Sequence, residues 1–478
     1  MPSSRRDLLA AAAGAVPALW AAQAVAKTDQ TIAAPTGAVS MFVTSAAGER
    51  FARQPELSWT HARRGGGSVA LAADPHDQRQ QLQGFGAALT EGTCTTLSRM
   101  PADERAKLLN ELYRPEGLGL SIGRLCIGSS DYSTELFSYD EGEPDPELKR
   151  FSIDHDRKAV LPMVKEVLAV RPDLFMFASP WSPPGWMKYG GSMKGGSIKP
   201  QNLDVYARYI GRYLEAYRAE GIRVRAVTVQ NETDADQAGR MAACAWPQET
   251  EDDYIALHLG PILKAQDVKL WILDHNYDLW GRVLDQLDKP EVRAAVEAVA
   301  WHGYKGDPAK MSYVHAAHPE IGAHWTEGGA MFDDPDYMTG WTKWAGTIAG
   351  ILNNRAQSVT MWNVALDEAG KPNIGPFTCG GLVTVRSDTQ KVERSALYYA
   401  LGHYAKALRP GDRVMRTASH LEGVSCAGAV SPAGRASLVV ANAGPARRLS
   451  LAVAGRVAEW LAPADSVATL SWSHAAGA

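Results

Sequence analysis

The sequence predicts an α/β protein in which a (β/α)8 barrel is joined to an accessory β-sandwich domain built from both termini. Between residues 79 and 406, eight short apolar runs alternate with eight amphipathic segments, a pattern typical of a parallel sheet with helical connections. Eight such units in about 325 residues match a (β/α)8 barrel with insertions. The flanks, 27–78 and 407–478, instead carry short alternating strands broken by turn residues, as in a β-sandwich.

Each predicted barrel strand is a short run of apolar or β-branched residues. The strands are Leu82–Leu89, Leu120–Ile127, Leu174–Ser179, Val224–Gln230, Lys269–Leu273, Ala298–His302, Ala323–Thr326 and Ser358–Val364. The helices are Ala102–Tyr113, Arg157–Ala169, Asn202–Glu220, Glu251–Lys264, Leu279–Leu287, Pro308–Ala317, Tyr337–Asn353 and Arg394–Lys406. A doubly wound open sheet is the alternative, but Gly84-Phe85-Gly86 is not followed by the third glycine of a dinucleotide-binding turn. The barrel is therefore favoured.

The composition is that of a folded protein and excludes some classes of function. The 478 residues include 49 Lys and Arg against 53 Asp and Glu, for a formal net charge of −4, and 45% of the residues are hydrophobic. A chain this apolar can offset its ordering entropy by burial, so intrinsic disorder is not expected. The absence of a basic stripe in the sequence argues against a nucleic-acid partner.

Residues 1–26 are typical of a cleaved export signal. Arg5-Arg6 precedes an Ala-rich apolar stretch, and Ala24-Val25-Ala26 is a small-x-small cleavage site. The paired arginines indicate the twin-arginine route, so we expect export to a bacterial periplasm or secretion. A retained membrane anchor is the alternative, but this stretch is short, weakly apolar and interrupted by Gly14 and Pro17.

Polar and aromatic residues collect where the predicted strands end, which is the catalytic face of a parallel barrel. Two carboxylates, Glu232 and Glu327, follow the fourth and seventh strands. The other strand ends carry groups that bind sugars, namely Asp131, Trp181, Asn231, Asp274, His275, Asn276, His302, Tyr304 and Trp362. The chain has 14 Trp, and we expect the excess to lie at this face, at Trp181, Trp186, Trp246, Trp325 and Trp362. Two of these, Trp181 and Trp362, are predicted to form a sugar platform.

Two carboxylates on nearly opposite strands suit glycoside hydrolysis. One carboxylic acid protonates the leaving oxygen, and the second carboxylate meets the oxocarbenium-like centre as a nucleophile. Two long Glu side chains reaching inward should leave the short gap of about 5–5.5 Å that favours retention of configuration. We expect burial and the neighbouring carboxylate to raise the pKa of the acid, so that it stays protonated in the resting enzyme.

Other kinds of chemistry have weaker support in the sequence. A metal site made of Asp131, His275 and His302 is conceivable, but no ligand spacing supports it. A serine nucleophile would need a G-x-S-x-G turn, and the five cysteines include no CxxC pair. We therefore expect neither a metal nor an organic cofactor.

These residues resemble glycoside hydrolase family 30, the group that contains lysosomal glucosylceramidase and related bacterial and fungal β-glycosidases. The similar stretches run in order from about residue 80 to 405 and are Gly84–Glu91, Gly119–Arg124, Ser130–Ser133, Ala178–Trp186, Ala226–Glu232, Trp325–Glu327 and Met361–Leu366. So many ordered matches are more specific than any single motif. The flanking β regions fit the side domain of this family.

The resemblance implies a retaining mechanism in which Glu232 is the acid/base and Glu327 is the nucleophile. It also implies that Asn231, next to the acid, hydrogen-bonds the sugar 2-hydroxyl, a contact that strengthens in the transition state. By the same match, Arg124 would orient or charge-balance the nucleophile.

The resemblance further implies how the rest of the pocket is built. Asp131 and Trp181 would hold the distal sugar hydroxyls, and Trp362 would form the floor of the glycone pocket. His302 and Tyr304 match a His-x-Tyr motif of the family, with Tyr304 close to the nucleophile.

One departure from the family pattern lies beside the acid. Where the family has Asn-Glu-Pro, this chain has Asn231-Glu232-Thr233. A proline would restrict Glu232 to extended backbone geometry, and Thr233 relaxes that restriction. We therefore expect the backbone at Glu232 and the loop Asp234–Arg240 to differ from the family, with aglycone preference affected more than chemistry.

We thus expect an exported retaining β-glycosidase that acts on a carbohydrate or glycolipid. The favoured substrates are β-glucosides, which include glucosylceramide-like lipids, β-1,6-glucan and other glucosides. A β-xyloside or β-fucoside hydrolase on the same fold, and a non-catalytic carbohydrate-binding barrel, are the alternatives. No stable membrane span is expected in the mature chain, and the oligomeric state is left open.

Overall fold

A computed structural model of the chain describes residues 34–62 and 69–473. The predicted export signal, 1–26, lies outside the described residues. The chain forms two compact units. The sheet unit contains the described parts of Met1–Leu82, Thr339–Asn353 and Tyr399–Ala478, and the barrel unit contains Gln83–Met338 and Asn354–Tyr398. Residues Thr339–Asn353, which the prediction included in the barrel domain, therefore group with the sheet strands.

The first four strands belong to the sheet unit and the next eight to the barrel unit. The former are β1 (Thr36–Ser45), β2 (Ala52–Leu57), β3 (Thr60–His61) and β4 (Leu71–Gln81). The latter are β5 (Gly84–Ala88), β6 (Ile122–Ile127), β7 (Phe175–Pro180), β8 (Val224–Thr228), β9 (Lys269–Asn276), β10 (Ala298–His302), β11 (Gly322–Glu327) and β12 (Ser358–Met361). The eight barrel strands overlap the eight predicted strands, with ends that differ by up to three residues.

The strands β5 to β12 are parallel and form a closed barrel in sequence order, with β12 paired to β5. The (β/α)8 fold predicted from the sequence is therefore confirmed. The strands are buried nearly throughout, which explains why they are continuous apolar runs rather than alternating patterns. Close packing of β5 on β6 requires Gly86, because a Cβ there would lie 1.9 Å from the carbonyl oxygen of Ile122.

The helices lie between and after the barrel strands. They are α1 (Glu91–Ser98), α2 (Ala102–Tyr113), α3 (Val160–Val170), α4 (Leu203–Ala219), α5 (Gln248–Asp253), α6 (Gly260–Ala265), α7 (Trp280–Leu287), α8 (Pro290–Arg293), α9 (Ala309–Ala317), α10 (Trp341–Asn353) and α11 (Ala396–Ala407). The single helix predicted over Glu251–Lys264 is two helices separated by the π-helical segment Tyr254–Leu259. The short helix α1, capped by the hydroxyl of Thr90, was not predicted.

The remaining strands are two groups. A small sheet in the barrel unit contains β13 (Ala365–Leu366), β14 (Val383–Val385) and β15 (Val392–Arg394). The sheet unit adds β16 (Arg413–Ser419), β17 (Val424–Val430), β18 (Arg435–Asn442), β19 (Arg447–Val453), β20 (Arg456–Ala462) and β21 (Ser466–Ser473). All six lie within 407–478, where the sequence predicts short alternating strands.

The sheet unit is one hydrogen-bonded sheet of ten strands, in the order β2-β1-β21-β18-β17-β16-β4-β19-β20-β3. Apolar side chains from both halves of this order, such as Val43, Leu438, Leu451 and Trp460, share a single buried cluster. The sheet therefore draws strands from the N-terminal and C-terminal parts of the chain and has one buried core, and whether it divides into the two layers of the predicted sandwich stays a prediction. Helix α10 packs its buried face on β17 and β18.

Across the described residues, we find no helix that is both long enough and apolar enough to cross a membrane.

Candidate active site

Two carboxylates meet at the C-terminal ends of the barrel strands. Glu327 is the last residue of β11, and Glu232 follows β8 by four residues. Both approach the imidazole of His302, the last residue of β10. Oε1 of Glu232 lies 3.6 Å from Nδ1 of His302, and Oε2 of Glu327 lies 3.8 Å from Nε2. The sequence-based prediction that these two strand ends share one site agrees with this geometry.

Arg124, on β6, is completely buried and binds several groups of the site. Its Nη1 donates to the carboxylate of Glu327. Its Nη2 donates to Oδ1 of Asn231 at 2.7 Å and to Oδ2 of Asp274 at 2.8 Å. Charge-assisted bonds of this kind fix geometry as well as charge. A single guanidinium thus holds side chains that come from β9, β11 and the segment after β8.

Asp274 was expected from the sequence only as one of the strand-end groups that bind sugars, but in the structure it lies at the centre of a hydrogen-bond network. Its side chain is fully buried and accepts hydrogen bonds from five donors. The donors are Nη2 of Arg124, Oγ of Ser179, Oγ1 of Thr228, Oγ1 of Thr326 and Nε2 of His302, at 2.7–2.9 Å. Because all five come from barrel strands, Asp274 locks the strand ends into one arrangement. Its occurrence in an Asp-His-Asn run after an apolar strand was the available sequence signal.

Electrostatics set the protonation states of this network. Burial would raise the pKa of Asp274, but Arg124 and His302 outweigh it and hold the pKa well below its usual range. Asp274 is therefore ionised and only accepts hydrogen bonds, so Nε2 of His302 is a donor. Burial would likewise lower the pKa of His302, but Glu327, Asp274 and Glu232 raise it to about 9. The imidazole is thus a cation at neutral pH.

Glu232 sits on a less regular backbone than Glu327. Its φ is +57°, outside the extended region that a following proline favours, and Thr233 is compatible with that conformation. Its carboxylate accepts a hydrogen bond from Nε2 of Gln237, five residues later in the same loop. Gln237 and Ala238 also have positive φ values. Non-glycine residues in this region are strained, and such strain concentrates at functional sites.

The expectation that the pKa of the acid is raised is wrong for the site without substrate. Burial does raise the pKa of Glu232, but His302, His275 and Gln237 lower it by more, and the net direction is downward. The expectation considered the two carboxylates and burial but not the imidazolium beside them. Glu232 is therefore ionised at neutral pH while His302 carries a proton.

Glu327 is bound by rigid parts of the barrel. Besides the bond from Arg124, its Oε1 accepts a hydrogen bond from the hydroxyl of Tyr304 at 3.0 Å. Glu327 is buried, and His302 pairs with it across β10 and β11. The carboxylate at the end of β11 is thus oriented from two sides.

Trp181, Trp362 and Asp131 complete the predicted pocket. The two indoles stack on each other, with centroids 5.4 Å apart and an interplanar angle of 24°. The guanidinium carbon of Arg124 lies 5.0 Å and 5.4 Å from their ring centroids. Asp131 is buried after β6, and burial together with Glu327 raises its pKa well above the usual range. Trp181 and Trp362 therefore adjoin Arg124, and Asp131 lies close enough to Glu327 to sense its charge.

Comparison with known proteins agrees with this site. The Glycosyl hydrolase family 30 TIM-barrel domain matches residues 82–408 of the chain. The chain is 32% identical over 357 residues to the endo-1,6-beta-D-glucanase of Neurospora crassa, covering 71% of this chain and 73% of that protein. It is 30% identical over 421 residues to the lysosomal acid glucosylceramidase of Mus musculus, covering 82% and 81%. The solved structure of the endo-beta1,6-glucanase BT3312 matches with a TM-score of 0.82 and 26% identity, covering 92% of this chain and all of that one.

The chain belongs to glycosyl hydrolase family 30. It is a retaining β-glucoside hydrolase with a (β/α)8 barrel and a separate sheet-rich unit. The fold and the reaction class predicted from the sequence are both confirmed.

Three of the five tryptophans expected at the sugar-binding face of this family 30 enzyme have packing contacts of their own. Trp246 stacks on Tyr254 with centroids 4.9 Å apart, and Trp186 donates to the carbonyl of Asp140 at 2.8 Å. The indole of Trp325 lies against two glycines, as discussed below. All three are buried, as are Trp181 and Trp362, so burial does not separate the two groups, but only the pair Trp181 and Trp362 is found against Arg124. The position of a tryptophan at a strand end does not by itself determine whether its indole faces the cleft or packs against the surrounding loops and helices.

Potential metal ligands also lie close together in this enzyme. Among the described residues, Glu232, His275 and His302 each offer one ligand atom, and these atoms lie within 4.8 Å of one another. The set considered from the sequence contained Asp131 in place of Glu232, and Asp131 does not belong to this cluster. The spacing that the sequence lacked is produced by the fold, because β9 and β10 are neighbours.

Proposed function

We propose that this enzyme hydrolyses β-glucosides by double displacement, with Glu327 as the nucleophile and Glu232 as the general acid/base. The observation that carries the assignment is that both carboxylates approach one imidazole while only Glu327 is bound by Arg124 and Tyr304. Glu327 is oriented by fixed donors, which suits in-line attack on the sugar. Glu232 lacks these donors, which suits a group that must exchange a proton. The family match supports the same pairing.

In the first step, an oxygen of Glu327 attacks the anomeric carbon as the glycosidic bond breaks. Glu232 transfers its proton to the departing oxygen, and a covalent glucosyl ester forms. In the second step, Glu232 takes a proton from water while that water attacks the anomeric carbon, which frees Glu327. The product keeps the β configuration, and both carboxyl groups return to their starting state.

The protonated His302 explains how Glu232 obtains a proton despite its lowered pKa. A sugar in the cleft excludes water from Glu232, which favours the neutral acid. The imidazolium of His302, whose Nδ1 lies 3.6 Å from Oε1 of Glu232, then supplies the proton once the two side chains move into hydrogen-bond distance. The pair Glu232–His302 therefore holds the acid proton jointly, and its apparent pKa values belong to the pair.

The remaining predicted residues would bind the sugar. Arg124 occupies Oδ1 of Asn231, so the Nδ2 group of Asn231 is left to donate to the 2-hydroxyl of the glucosyl unit. Asp131 would bind distal hydroxyls. The stacked pair Trp181 and Trp362 would supply an apolar surface, which suits the face of a sugar ring.

We infer that the natural substrate is a β-1,6-linked glucan or a lipid β-glucoside outside the cytoplasm. The relatives named as endo-1,6-beta-D-glucanase and as glucosylceramidase support these two classes. Residues 1–26 support export by the twin-arginine route. For the domains we propose 27–78 and 407–478 as the sheet domain and 79–406 as the barrel domain, from which residues 339–353 and 399–406 pack with the sheet unit.

The roles are tested with Glu327→Gln and Glu232→Gln. We expect Glu327→Gln to lose at least about 99% of turnover, because the covalent route contributes several kcal/mol. We expect Glu232→Gln to lose much more activity on alkyl β-glucosides than on aryl β-glucosides whose leaving groups need no acid. Equal losses on the two substrates, or substantial activity in Glu327→Gln, would contradict the assignment.

The substrate is tested with the wild-type enzyme. A panel of β-1,6-gluco-oligosaccharides, glucosylceramide, and aryl β-glucoside, β-xyloside and β-fucoside separates the candidate classes. Proton NMR of the first product should show the β anomer before mutarotation. Preference for the xyloside or fucoside would replace the glucoside assignment, and a first product with the α anomer would exclude retention.

A further inference from the structure

We propose that Glu232, His275 and His302 form a binding site for a divalent transition-metal ion such as Zn²⁺, and that the ion inhibits the enzyme reversibly. Binding depends only on the geometry of this Glu–His–His cluster. The inhibitory consequence rests on the proposed role of Glu232 as acid/base, because a metal-bound carboxylate can neither give nor take a proton.

The distances in the cluster are close to those of a metal site. Nδ1 of His275 and Nδ1 of His302 each lie 3.6 Å from Oε1 of Glu232. Metal–ligand bonds of about 2.0–2.2 Å in a tetrahedral site place neighbouring ligand atoms about 3.3–3.6 Å apart. The two distances from the histidine nitrogens to Glu232 therefore need almost no change when an ion binds. The third, between the two histidine nitrogens, lies within 4.8 Å, so ion binding requires the His275 side chain to move toward His302.

The two nitrogens have no other partner. Both Nδ1 atoms are buried, and neither has a hydrogen-bond partner in the part of the chain that the structure describes. A separation of 3.6 Å from Glu232 is too long for a hydrogen bond. His302 is fully buried, so its unpartnered nitrogen is aimed into the cluster at a cost that a bound ion would remove. When the metal ion binds this nitrogen, it displaces any proton there, and the displaced proton passes to the buffer.

A second layer of contacts supports His302 as a ligand. Its Nε2 donates to Oδ1 of Asp274 at 2.9 Å. A carboxylate that accepts from the far nitrogen of a histidine is the usual arrangement at zinc sites, where it orients the ring and raises its basicity. Asp274 is itself held by four further donors, so the ring position is fixed before any ion arrives.

Charge and access also favour a cation. Glu232, Glu327 and Asp274 gather within a few ångströms of His302, while the guanidinium of Arg124 lies against Glu327 and Asp274, away from Glu232. The side chains of Glu232 and His275 keep 14% and 12% of their surface exposed, which leaves a path from solvent. Two histidines and one carboxylate leave a fourth position for water, the ligand set of many zinc enzymes.

The binding test is isothermal titration calorimetry of the full mature chain with ZnCl2 in a non-chelating buffer. We expect saturable uptake of one ion per chain by the wild type. His275→Ala and Glu232→Gln should each weaken it by at least about tenfold, since each removes a ligand. The matched control is His318→Ala, because His318 also lies 3.7 Å from two carboxylates but has no second histidine in its cluster. That control should bind as the wild type does.

A spectroscopic readout accompanies the calorimetry. Co²⁺ bound in a tetrahedral site of two nitrogens and one oxygen absorbs visible light strongly, unlike hydrated Co²⁺. We expect this band in the wild type and in His318→Ala, and its loss in His275→Ala. No saturable uptake, or uptake and absorption that His275→Ala and Glu232→Gln leave unchanged, would overturn the site.

The inhibition test uses the wild-type enzyme and an aryl β-glucoside. Zn²⁺ should lower the rate in step with its occupancy in calorimetry, and EDTA should restore it. If the zinc-bound enzyme turned over at the full rate, the proposed inhibition would be wrong and the proposed binding site would still stand. If Glu232→Gln lost zinc binding but kept turnover, the acid/base role would fail and the metal site would stand.

Discussion

The strand-end site around Glu232, Glu327 and His302, here called the barrel mouth, contains a completely buried histidine, and so does the sheet unit. The two side chains nevertheless differ in charge. His302 in the mouth is surrounded by three carboxylates, which raise its pKa to about 9. His403 in the sheet unit lies between the hydroxyls of Thr469 and Thr44, at 2.8 Å and 2.9 Å. Burial, with a smaller effect from Lys406, lowers the pKa of His403 to about 3. Equal burial therefore gives a cation in one place and a neutral ring in the other.

The contrast shows what each region is built for. A buried charge costs free energy unless it is paired, and the sheet unit avoids that cost at His403 by keeping the ring neutral. The mouth instead keeps several charges together, where double displacement needs a nucleophile and a proton donor. We therefore expect changes in the mouth to affect turnover first and changes at His403 to affect stability first.

The largest effect is expected for Arg124→Met. The change leaves the carboxylates of Asp274 and Glu327 buried without their cation. Breaking a buried ion pair from one side costs about 3–5 kcal/mol of stability. Turnover should also fall at least about 100-fold, because Glu327 loses an orienting donor. Urea unfolding and initial rates on an aryl β-glucoside measure the two losses.

The control for this change is Arg105→Met. Arg105 also pairs with a carboxylate, Glu166, but the carboxylate is 41% exposed. Exposed pairs contribute about 1 kcal/mol or less. Similar losses of stability in the two variants would contradict the distinction between the mouth and the surface.

Tyr304→Phe should separate turnover from stability. Its hydroxyl donates to Glu327, and a bond to a charged group contributes about 1.5–3 kcal/mol, so kcat should fall about 10–100-fold. Because Tyr304 is 41% exposed, the melting temperature should change little. Tyr189→Phe, at an exposed tyrosine, is the matched control. A fall in melting temperature with kcat unchanged would show that Tyr304 supports the fold rather than the nucleophile.

His403→Gln should change the pH dependence of stability. The folded pKa of about 3 lies below the unfolded value, so the neutral ring contributes stability above about pH 6.5 that is lost as the pH falls toward 3. This loss is about 1.4 kcal/mol per pH unit. Glutamine does not titrate, so the variant should be less stable at pH 7 but lose stability less steeply below pH 6. Urea unfolding at pH 7, 6 and 5 measures the slopes, and equal slopes would contradict a neutral buried ring.

The smallest effect is expected for Gln237→Ala. The change removes one donor from the carboxylate of Glu232 and should lower kcat a few-fold on alkyl β-glucosides, in line with about 1 kcal/mol for one hydrogen bond. Aryl β-glucosides with good leaving groups should be hydrolysed as by the wild type. An equal loss on both substrates would mean that Gln237 acts on the pocket rather than on the acid.

The barrel could be predicted because its strands are buried on both sides. Continuous apolar runs such as Phe175–Pro180 and Ala298–His302 mark such strands directly in the sequence. Helix α1 was missed because Glu91–Ser98 is short and rich in threonine, which lowers helix propensity. It forms because tertiary contacts and the cap at Thr90 compensate.

The site was predicted less completely than the barrel. Glu232 and Glu327 stand at strand ends, which the pattern of apolar runs locates. Asp274 gains its role from positive φ values at Leu273 and Asp274, where the pairing of β9 with β10 shifts register. Such a local distortion has no signature in composition or periodicity. The same holds for the lowered pKa of Glu232, which depends on an imidazole brought in from β10.

The packing of Trp325 has a consequence for how relatives of this enzyme can diverge. Its indole fills the space that side chains at Gly303 and Gly328 would occupy, since a Cβ at either glycine would lie within 2.5 Å of the ring. A larger residue at position 303 is therefore compatible only with a smaller one at 325. We therefore expect substitutions at these positions to be coupled among relatives: a large side chain can stand at position 325 or at position 303, but not at both.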